Sequence, residues 1–214
     1  MSIGDKKVVI LLGAGGHAKV VAEALIQSGK TILGLVAPDK KKGSKCFGLD
    51  VLGSDDELLS YSPREVELAN GIGALPGKVF RWKLASKMRE KGFRFTRVIH
   101  PSATVAADVI VAEGAQVMAG SIIQPGSSIG QDSIVNTRVS IDHDCKIDEN
   151  CHLAPGVILS GCVNISRGVH LGTGSTVIQN ISIGANSTVS AGSIVYKDLV
   201  NDKILIQKKQ NIYK

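Results

Sequence analysis

An aliphatic residue recurs at every sixth position of the second half of the chain, without a gap, from Ile99 to Val195. The series is Ile99, Val105, Val111, Val117, Ile123, Ile129, Val135, Ile141, Ile147, Leu153, Leu159, Ile165, Leu171, Val177, Ile183, Val189 and Val195. An α-helix repeats every 3.6 residues and a strand every two, so neither gives a strict period of six. A solenoid of short parallel strands does, because each hexad forms one flat side of a coil.

Three hexads per triangular coil would stack residues 18 apart at the ~4.8 Å spacing of paired strands, giving roughly five coils. In this register His152 stacks on His170, and Gly161 lies one coil beyond His143. Small or β-branched residues follow each aliphatic residue from Ile99 to Val189 by four positions, and Cys145 and Cys151 are among them. We therefore expect these two cysteines to pack in the core rather than to serve redox or metal chemistry.

Before the hexads, the apolar run Val8–Leu12 enters a glycine-rich turn and then a helical pattern. A strand, a glycine turn and a helix N-terminus form a common phosphate site. Gly13, Gly15 and Ala18 also fit the dinucleotide fingerprint, with Asp39 about twenty residues further on. Only 98 residues precede the hexads, however, too few for the two halves of an NAD domain. We favour a nucleotide or nucleotide-sugar site over NAD; a glycine turn that serves packing alone is the remaining alternative.

The rest of this N-terminal region alternates between strand and helix patterns. It predicts strands at Ile32–Val36, Val51–Gly53 and Leu68–Ile72, and helices at Asp55–Tyr61 and Lys78–Lys91. Such alternation is typical of a small parallel α/β sheet. The predicted organisation is a Rossmann-like α/β nucleotide-sugar-binding domain at 1–98, an all-β parallel helix of hexapeptide repeats at 99–196, and a polar, basic tail at 197–214. Two alternatives stay open for the tail: it caps the open end of the solenoid, or its last few residues are disordered.

Charge is distributed unevenly. Residues 1–98 carry 17 basic residues (Lys and Arg) and 10 acidic residues (Asp and Glu). The hexad region carries 3 basic and 7 acidic residues, and residues 196–214 carry 5 basic and 2 acidic residues. This favours a small anionic ligand such as a nucleotide phosphate. Nucleic acid is disfavoured, because the short run Lys40–Lys42 has no interleaved aromatic residues. The sequence has neither an apolar stretch of membrane-spanning length nor a signal-peptide pattern, so we expect a soluble cytoplasmic protein without membrane insertion.

The strongest catalytic candidate in the hexads is His143, which lies between Asp142 and Asp144. A histidine is the usual general base near neutral pH, and a neighbouring carboxylate raises its basicity. An outward-facing histidine alone is more often plain surface, so the flanking carboxylates carry the hypothesis. The stacked His152 and His170 invite comparison with zinc enzymes on this fold, but histidine gaps of 9 and 18 do not suit such a site, and we expect no metal.

Six motifs, in order and spacing, resemble those of the NeuD/PglD-type sugar acetyltransferases of bacterial surface glycans. They are Gly13-Ala-Gly-Gly-His-Ala-Lys-Val-Val, Gly71-Ile-Gly73, Ile99-His-Pro-Ser-Ala103, Val135-Asn-Thr137, Asp142-His-Asp-Cys145 and His152-Leu-Ala-Pro-Gly156. The resemblance covers nearly all of residues 6 to 198. It implies a left-handed β-helix, acetyl-CoA as co-substrate without a metal, and a homotrimer with active sites between subunits.

The activity that this resemblance implies is acetyl-CoA-dependent N-acetylation of a UDP- or GDP-linked 4-amino-4,6-dideoxyhexose, for a surface glycan such as the O-antigen of lipopolysaccharide. Two alternatives stay open at this point. One is O-acetylation of a sialic-type sugar, since the residue types do not separate an amine from an alcohol acceptor. The other is a non-catalytic trimeric binding or scaffold protein that uses the solenoid only to assemble.

The resemblance also implies roles for individual residues. His143 would be the general base, Asp144 would raise its basicity, and the Gly161 N–H would hold the oxyanion. The other residues implied are Gly15, Gly16, His17, Asp39, Gly73 and Asn136 for the nucleotide sugar, and His152, Thr173 and Ala191 for acetyl-CoA. Neighbours in a strand point to opposite sides, so the role of Asp144 requires a bend in the chain.

The chain departs from the family pattern at two places. Family members commonly have paired acidic residues after the second strand, whereas Ala37, Pro38 and Asp39 leave a single acid here. The usual Gly-x-Pro-Ala near the C-terminus is replaced by Leu205–Lys208. The first departure bears on recognition of the nucleotide and the sugar, and the second on local contacts to CoA.

Overall fold

The computed structural model describes residues 8–207, so Lys208 and the rest of the basic C-terminus lie outside the described residues. The chain divides into two compact units. Unit 1 comprises the chain up to Pro101 together with Glu113–Met118, and unit 2 comprises Ser102–Ala112 and the chain from Ala119 onward. A short segment of the hexad region therefore belongs to unit 1.

Unit 1 is built on a five-stranded sheet with three helices. Its elements are β1 Val8–Leu12, α1 Gly16–Gln27, β2 Ile32–Val36, β3 Lys45–Cys46, β4 Leu49–Gly53, α2 Asp55–Leu58, β5 Val66–Asn70 and α3 Phe80–Glu90. The strand order is β3-β4-β2-β1-β5. Four strands are parallel, as predicted. The short edge strand β3, which the sequence did not reveal, runs antiparallel to β4 because a tight turn with positive φ at Phe47 and Gly48 joins them.

Both faces of this sheet are buried. On one face Val9, Leu11 and Leu35 pack with Val21 and Leu25 of α1. On the other face, the strand residues Ile10, Leu12 and Leu68 pack with Leu58 of α2 and with Leu84 and Met88 of α3. Burial on both sides explains why β1 reads as a continuous apolar run rather than an alternating one. No helix within residues 8–207 has the length and apolarity needed to cross a membrane.

Several element ends differ from the sequence prediction by two or more residues, among them the ends of β5 and α2. Strand β5 ends at Asn70 rather than continuing to Ile72, because the Asn70 side-chain oxygen accepts the Ile72 N–H at 3.1 Å and turns the chain. Helix α2 begins at a capping box in which Glu57 accepts the Ser54 N–H at 2.8 Å, but it ends at Leu58. The first change matters for function, because it leaves Gly71–Gly73 in a loop at the carboxyl end of the sheet.

Unit 2 is a parallel β-solenoid with three flat faces made of two-residue strands. Face 1 contains β7 Thr104–Val105, β10 Ile122–Ile123, β13 Ser140–Ile141, β16 Ile158–Leu159, β19 Thr176–Val177 and β22 Ile194–Val195. Face 2 contains β8 Ile110–Val111, β11 Ser128–Ile129, β14 Lys146–Ile147, β17 Asn164–Ile165 and β20 Ser182–Ile183. Face 3 contains β12 Ile134–Val135, β15 His152–Leu153, β18 His170–Leu171, β21 Thr188–Val189 and β23 Ile204–Leu205. In unit 1, β6 Val98–Ile99 and β9 Gln116–Val117 pair in the same way.

The predicted register of 18 residues is confirmed. Ile123 pairs with Ile141, and His152 pairs with His170. Cys145 and Cys151 are buried in the core, as expected, and burial raises the pKa of the Cys145 thiol to about 11 and that of Cys151 to about 12. The small residue of each hexad therefore packs inside the narrow solenoid together with the aliphatic residue.

The solenoid continues beyond Val195, where the six-residue repeat ends. Strand β23 pairs with β21 through Thr188 and Ile204, which are 16 rather than 18 residues apart. The Asp198 carboxylate accepts the Ser182 N–H at 2.8 Å, and the Asn201 side chain accepts the Ala185 N–H at 2.9 Å. Side-chain oxygens thus supply hydrogen-bond acceptors in this shortened coil. Because the coil does not follow the six-residue repeat, the sequence periodicity did not predict it.

Candidate functional site

Residues 142–145 and 160–163 join face 1 to face 2 in two successive coils, and we call this edge of the solenoid the base corner. Asp144 has a φ of +58°, so the chain turns here and provides the bend that its role requires. Its carboxylate lies 2.8 Å from Nδ1 of His143. The Asp142 carboxylate accepts the backbone N–H of His143 at 2.8 Å. The two flanking acids therefore have different tasks, one at the ring and one at the backbone.

The environment of His143 strengthens it as a base. The hydrogen bond to Asp144 raises the pKa of His143; desolvation opposes this increase, and the negative charges of Asp142 and Asp144 add to it. With Nδ1–H donated to the carboxylate, the lone pair of Nε2 is left to accept a proton. The side chain is 58% exposed, so this nitrogen is accessible to a substrate.

Gly161 lies against the ring of His143. A Cβ atom built on Gly161 would be 2.6 Å from both Nε2 and Cε1 of His143. The glycine is thus needed for space, since its φ is not in the left-handed region. Within residues 8–207 no intramolecular acceptor receives the Gly161 N–H. A base next to an unused backbone donor is the arrangement that acyl transfer requires.

A second glycine, which the sequence reasoning missed, makes room for the carboxylate. A Cβ atom on Gly126 would collide with Oδ1 of Asp144. The Gly126 N–H is held by the Asp108 carboxylate at 2.8 Å. Its position 18 residues before Asp144 was the signal available in the sequence.

The acetyl-CoA candidates lie elsewhere on unit 2, on face 3 and on the edge that joins face 3 to face 1, which we call the amide corner. Asn136 Nδ2 lies 3.2 Å from Nε2 of His152. Because Asn136 Oδ1 accepts the Thr137 N–H at 2.8 Å, its amide is oriented with Nδ2 towards the histidine. We infer that His152 accepts this bond at Nε2 and carries its proton on Nδ1.

Thr173 and Ala191 occupy successive coils of the amide corner, and both are exposed. The Thr173 carbonyl accepts the Gly192 N–H at 2.8 Å. In the described part of the chain, the N–H groups of Thr173 and Ala191 have no intramolecular acceptor. This corner therefore offers two outward donors, one coil apart, to an amide-containing ligand.

One chain does not bring these groups together. His143, Asp144 and Gly161 lie at the base corner, whereas Asn136 and Thr173 lie at the amide corner, with face 1 between the two edges.

His152 and His170 pack edge to face with ring centroids 4.8 Å apart, and burial lowers the pKa of His170. The potential metal ligands grouped among residues 8–207 are instead His143, Asp144 and Cys162, at the base corner.

In unit 1 the glycine turn leaves the start of α1 open. Gly13 has a φ of +97°, a conformation that favours glycine. Cβ atoms on Gly15 or Gly16 would meet nothing within 4 Å. The helix has neither a side-chain cap nor an acidic residue in its first turn. Its N-terminal N–H groups and dipole therefore suit an anion such as a phosphate.

His17 is held beside this turn by a network that the sequence did not predict. Gln116 Nε2 donates to the Asn70 carbonyl at 2.7 Å, which orients Gln116 Oε1 towards Nε2 of His17, also at 2.7 Å. Nε2 is then the protonated nitrogen, and Nδ1 is left as an acceptor. Burial and the nearby charge of Arg81 lower the pKa of His17 to about 4, so the ring is neutral.

The remaining sugar-site candidates differ in their surroundings. Gly73 lies against His17, with its Cβ position 3.7 Å from the histidine Cβ, so the loop after β5 adjoins the glycine turn. Asp39 is exposed and forms an ion pair with Lys40 at 3.4 Å rather than joining the His17 network. Both lie at the carboxyl end of the parallel strands, where ligands bind in open α/β sheets.

Comparison with known proteins gives consistent results. Residues 8–88 match the PglD N-terminal domain. A mutant of perosamine N-acetyltransferase from Caulobacter crescentus, solved in complex with CoA and GDP-perosamine, is 37% identical over 95% of this chain and 93% of that chain, with a TM-score of 0.86. The acetyltransferase domain of PglB from Neisseria gonorrhoeae, solved with acetyl coenzyme A, is 34% identical over 93% of this chain and 94% of that chain, with a TM-score of 0.83.

Two further results complete the comparison. WeeI from Acinetobacter baumannii is 22% identical over 94% of this chain and 97% of that chain, with a TM-score of 0.78, and so shares the fold. No curated protein is significantly similar in sequence.

Proposed function

This chain belongs to the family of PglD-type sugar N-acetyltransferases, and we propose that it transfers the acetyl group of acetyl-CoA to the 4-amino group of a UDP- or GDP-linked 4-amino-4,6-dideoxyhexose. The observation that carries this proposal is the His143–Asp144 pair, whose ring lies against Gly161 at an exposed corner. The perosamine relative, solved with GDP-perosamine, makes GDP-linked acceptors the first to test.

The chemistry follows from the orientation of His143. Asp144 holds the Nδ1–H, so Nε2 removes a proton from the sugar amine as the nitrogen attacks the thioester carbonyl. A C–N bond forms, the C–S bond breaks, and CoA leaves as a thiolate that takes up the proton from His143. The Gly161 N–H donates to the carbonyl oxygen as negative charge develops on it, a contribution of about 2.7–4 kcal/mol for one such donor.

The acetyl-CoA site is assigned to the amide corner. The outward N–H groups of Thr173 and Ala191 would donate to amide carbonyls of the pantetheine arm, and His152 would contact the co-substrate. Asn136 would border the sugar and hold His152 in the required tautomer. In unit 1, Gly15, Gly16, His17 and Gly73 would bind the nucleotide phosphates and sugar, with Asp39 as the single acid for the nucleoside.

We propose a homotrimer, because the base corner and the amide corner are different edges of one solenoid. A second copy that places its amide corner against the base corner of the first unites both halves of the site, and repeating this contact around a threefold axis closes the assembly. Size-exclusion chromatography with light scattering tests the trimer. The reaction is placed in the cytoplasm, where both co-substrates are soluble metabolites.

The proposed function is tested by incubating the protein with acetyl-CoA and GDP- or UDP-linked 4-amino-4,6-dideoxyhexoses, with CoA release and product mass as readouts. Free sialic-type sugars form the second arm. We expect a single acetyl group on the nitrogen, resistant to mild base, and loss of turnover in His143→Ala. A base-labile acetyl ester on a sialic-type sugar would favour the O-acetyltransferase, and no release of CoA with any acceptor would favour the scaffold.

A further inference from the structure

Cys162 is an unusual residue type for its turn at the base corner, in the coil that follows Asp144. Its φ is +60°, the left-handed conformation that Asp144 and Asn180 adopt one coil before and after it. Asp and Asn enter this region comparatively readily, whereas cysteine has no such preference. The same left-handed turn recurs at every sixth residue from Gly114 to Gly192, and apart from Arg138 and Cys162 these residues are Gly, Asp or Asn. The conformation therefore belongs to the solenoid repeat, and the feature that points to a function is a thiol at such a turn next to a proposed catalytic base.

The thiol completes a set of three different ligand atoms. One ligand atom each from His143, Asp144 and Cys162 lies within 4.8 Å of the other two. A tetrahedral zinc ion, with bonds of about 2.0–2.3 Å, needs its ligand atoms about 3.5 Å apart. The side chains of His143 and Asp144 are 58% and 63% exposed, so small rotations can close the remaining distance.

The backbone holds this arrangement in place. The Cys162 N–H donates to the His143 carbonyl at 2.9 Å, and the next coil repeats the contact, with the Asn180 N–H donating to the Gly161 carbonyl at 3.0 Å. Cys162 is therefore fixed relative to His143 by the ladder of the solenoid rather than by a mobile loop. The other cysteine of this corner, Cys145, points into the core and is buried.

We propose that the base corner binds a thiophilic divalent cation of the zinc class through His143, Asp144 and the Cys162 thiolate, and that the bound cation inhibits acetyl transfer. Nitrogen, oxygen and sulfur donors suit zinc, whereas magnesium and calcium require oxygen ligands. Binding releases the Cys162 thiol proton to solvent, and water fills the fourth position. Inhibition follows because the cation occupies the histidine that acts as base, and this part rests on the proposed function.

The binding step is tested with Co²⁺, whose bond to a thiolate gives a charge-transfer absorption in the near ultraviolet. We expect the full-length wild-type protein to develop this band and Zn²⁺ to abolish it by competition. Cys162→Asn keeps a residue suited to positive φ but removes the thiolate. It should lose the band and bind zinc at least about 100-fold more weakly, the upper end of what loss of an outer-shell partner costs. Cys46→Ser, which removes the partly exposed thiol of unit 1, should retain the band.

The inhibition step is measured by mass spectrometry of the acetylated product, without thiol reagents, and each variant is compared with its own metal-free rate. We expect Zn²⁺ to inhibit the wild type and Cys46→Ser reversibly, with recovery on adding EDTA, and to inhibit Cys162→Asn only at about 100-fold higher concentration. A thiolate band that persists in Cys162→Asn, or equal inhibition of that variant, overturns the proposal. If no acceptor is turned over, the proposed function fails, while the cobalt spectrum still decides whether the cation site exists.

Discussion

The ring of His143 occupies the space that a side chain on Gly161 would need, with Nε2 and Cε1 only 2.6 Å from the Cβ position of the glycine. We predict that Gly161→Ala lowers kcat by about 100-fold, because the ring must leave its bond to Asp144 and general-base assistance contributes 10²–10⁴-fold. The melting temperature should change little, since the ring is exposed and can rotate away.

Asn164→Ala is a suitable control for this variant, because Asn164 is exposed on β17 of face 2, outside the base corner. It should leave both kcat and the melting temperature near the wild-type values. A Gly161→Ala enzyme with kcat within twofold of wild type would show that the contact between ring and glycine does not position the base.

The carboxylate of Asp144 is predicted to set the pH dependence of the reaction. Its hydrogen bond is the largest cause of the raised pKa of His143, and the base is active only when deprotonated, so kcat/KM should rise with pH through that pKa. Asp144→Asn removes this cause. The rising limb should move to lower pH, and the plateau should fall at least about tenfold because the ring loses its orientation.

Asp142→Asn is the matched comparison, because Asp142 bonds the backbone of His143 and affects its pKa only through charge. We expect the rising limb of Asp142→Asn also to move to lower pH, but by less than the limb of Asp144→Asn. All profiles are recorded with one acceptor, so titration of the sugar amine is common to them and cancels in the comparison. If the rising limb of the pH profile does not move in Asp144→Asn, Asp144 does not raise the pKa of the base.

The solenoid register was predictable because one local period determines it. Once residues 18 apart stack, the proximity of Gly161 to His143 and the stacking of His152 on His170 follow from counting. The contact between Gln116 and His17 was not predictable, because these residues are 99 positions apart and no period relates a hexad strand to α1. The shortened last coil was hidden for a related reason, since side chains of Asp198 and Asn201 replace backbone acceptors.

The left-handed conformation of Cys162 follows the solenoid repeat, because every sixth residue from Gly114 to Gly192 has a positive φ. Apart from Arg138 and Cys162 these residues are Gly, Asp or Asn, which was the signal available in the sequence. The neighbours of Cys162 along the corner, Asp144 and Asn180, are residue types that tolerate this conformation. Sequence reasoning therefore selected His143 as the candidate base but did not connect it to the thiol of Cys162.

The buried His17 is predicted to make unit 1 less stable in acid. Its pKa is about 4 in the folded protein against 6.5 for a free histidine, so the unfolded chain binds a proton that the folded chain does not. The free energy of unfolding should fall as pH drops from 6.5 towards 4, by about 2 kcal/mol at pH 5 from this residue. In His17→Gln this contribution should disappear. Denaturant titrations at pH 7.5 and 5, followed by the fluorescence of Trp82 in α3, measure the difference.

Equal pH dependence of wild type and His17→Gln would mean that the folded protein protonates His17 as readily as the unfolded chain does, so that burial and Arg81 do not lower its pKa. Carboxylates titrate in the same range, but they are common to both proteins and cancel in the comparison.

Replacing Cys162 is predicted to stabilise the protein even though it removes a side chain from the base corner. Cysteine at a φ of +60° carries a conformational penalty of about 1–2 kcal/mol, and asparagine carries less. Cys162→Asn should therefore raise the free energy of unfolding by about 1 kcal/mol in metal-free buffer. The reciprocal variant Asn180→Cys moves the same penalty one coil along and should lower the stability by a similar amount. If Cys162→Asn unfolds at lower denaturant concentration than wild type, the thiol contributes packing that outweighs its backbone strain.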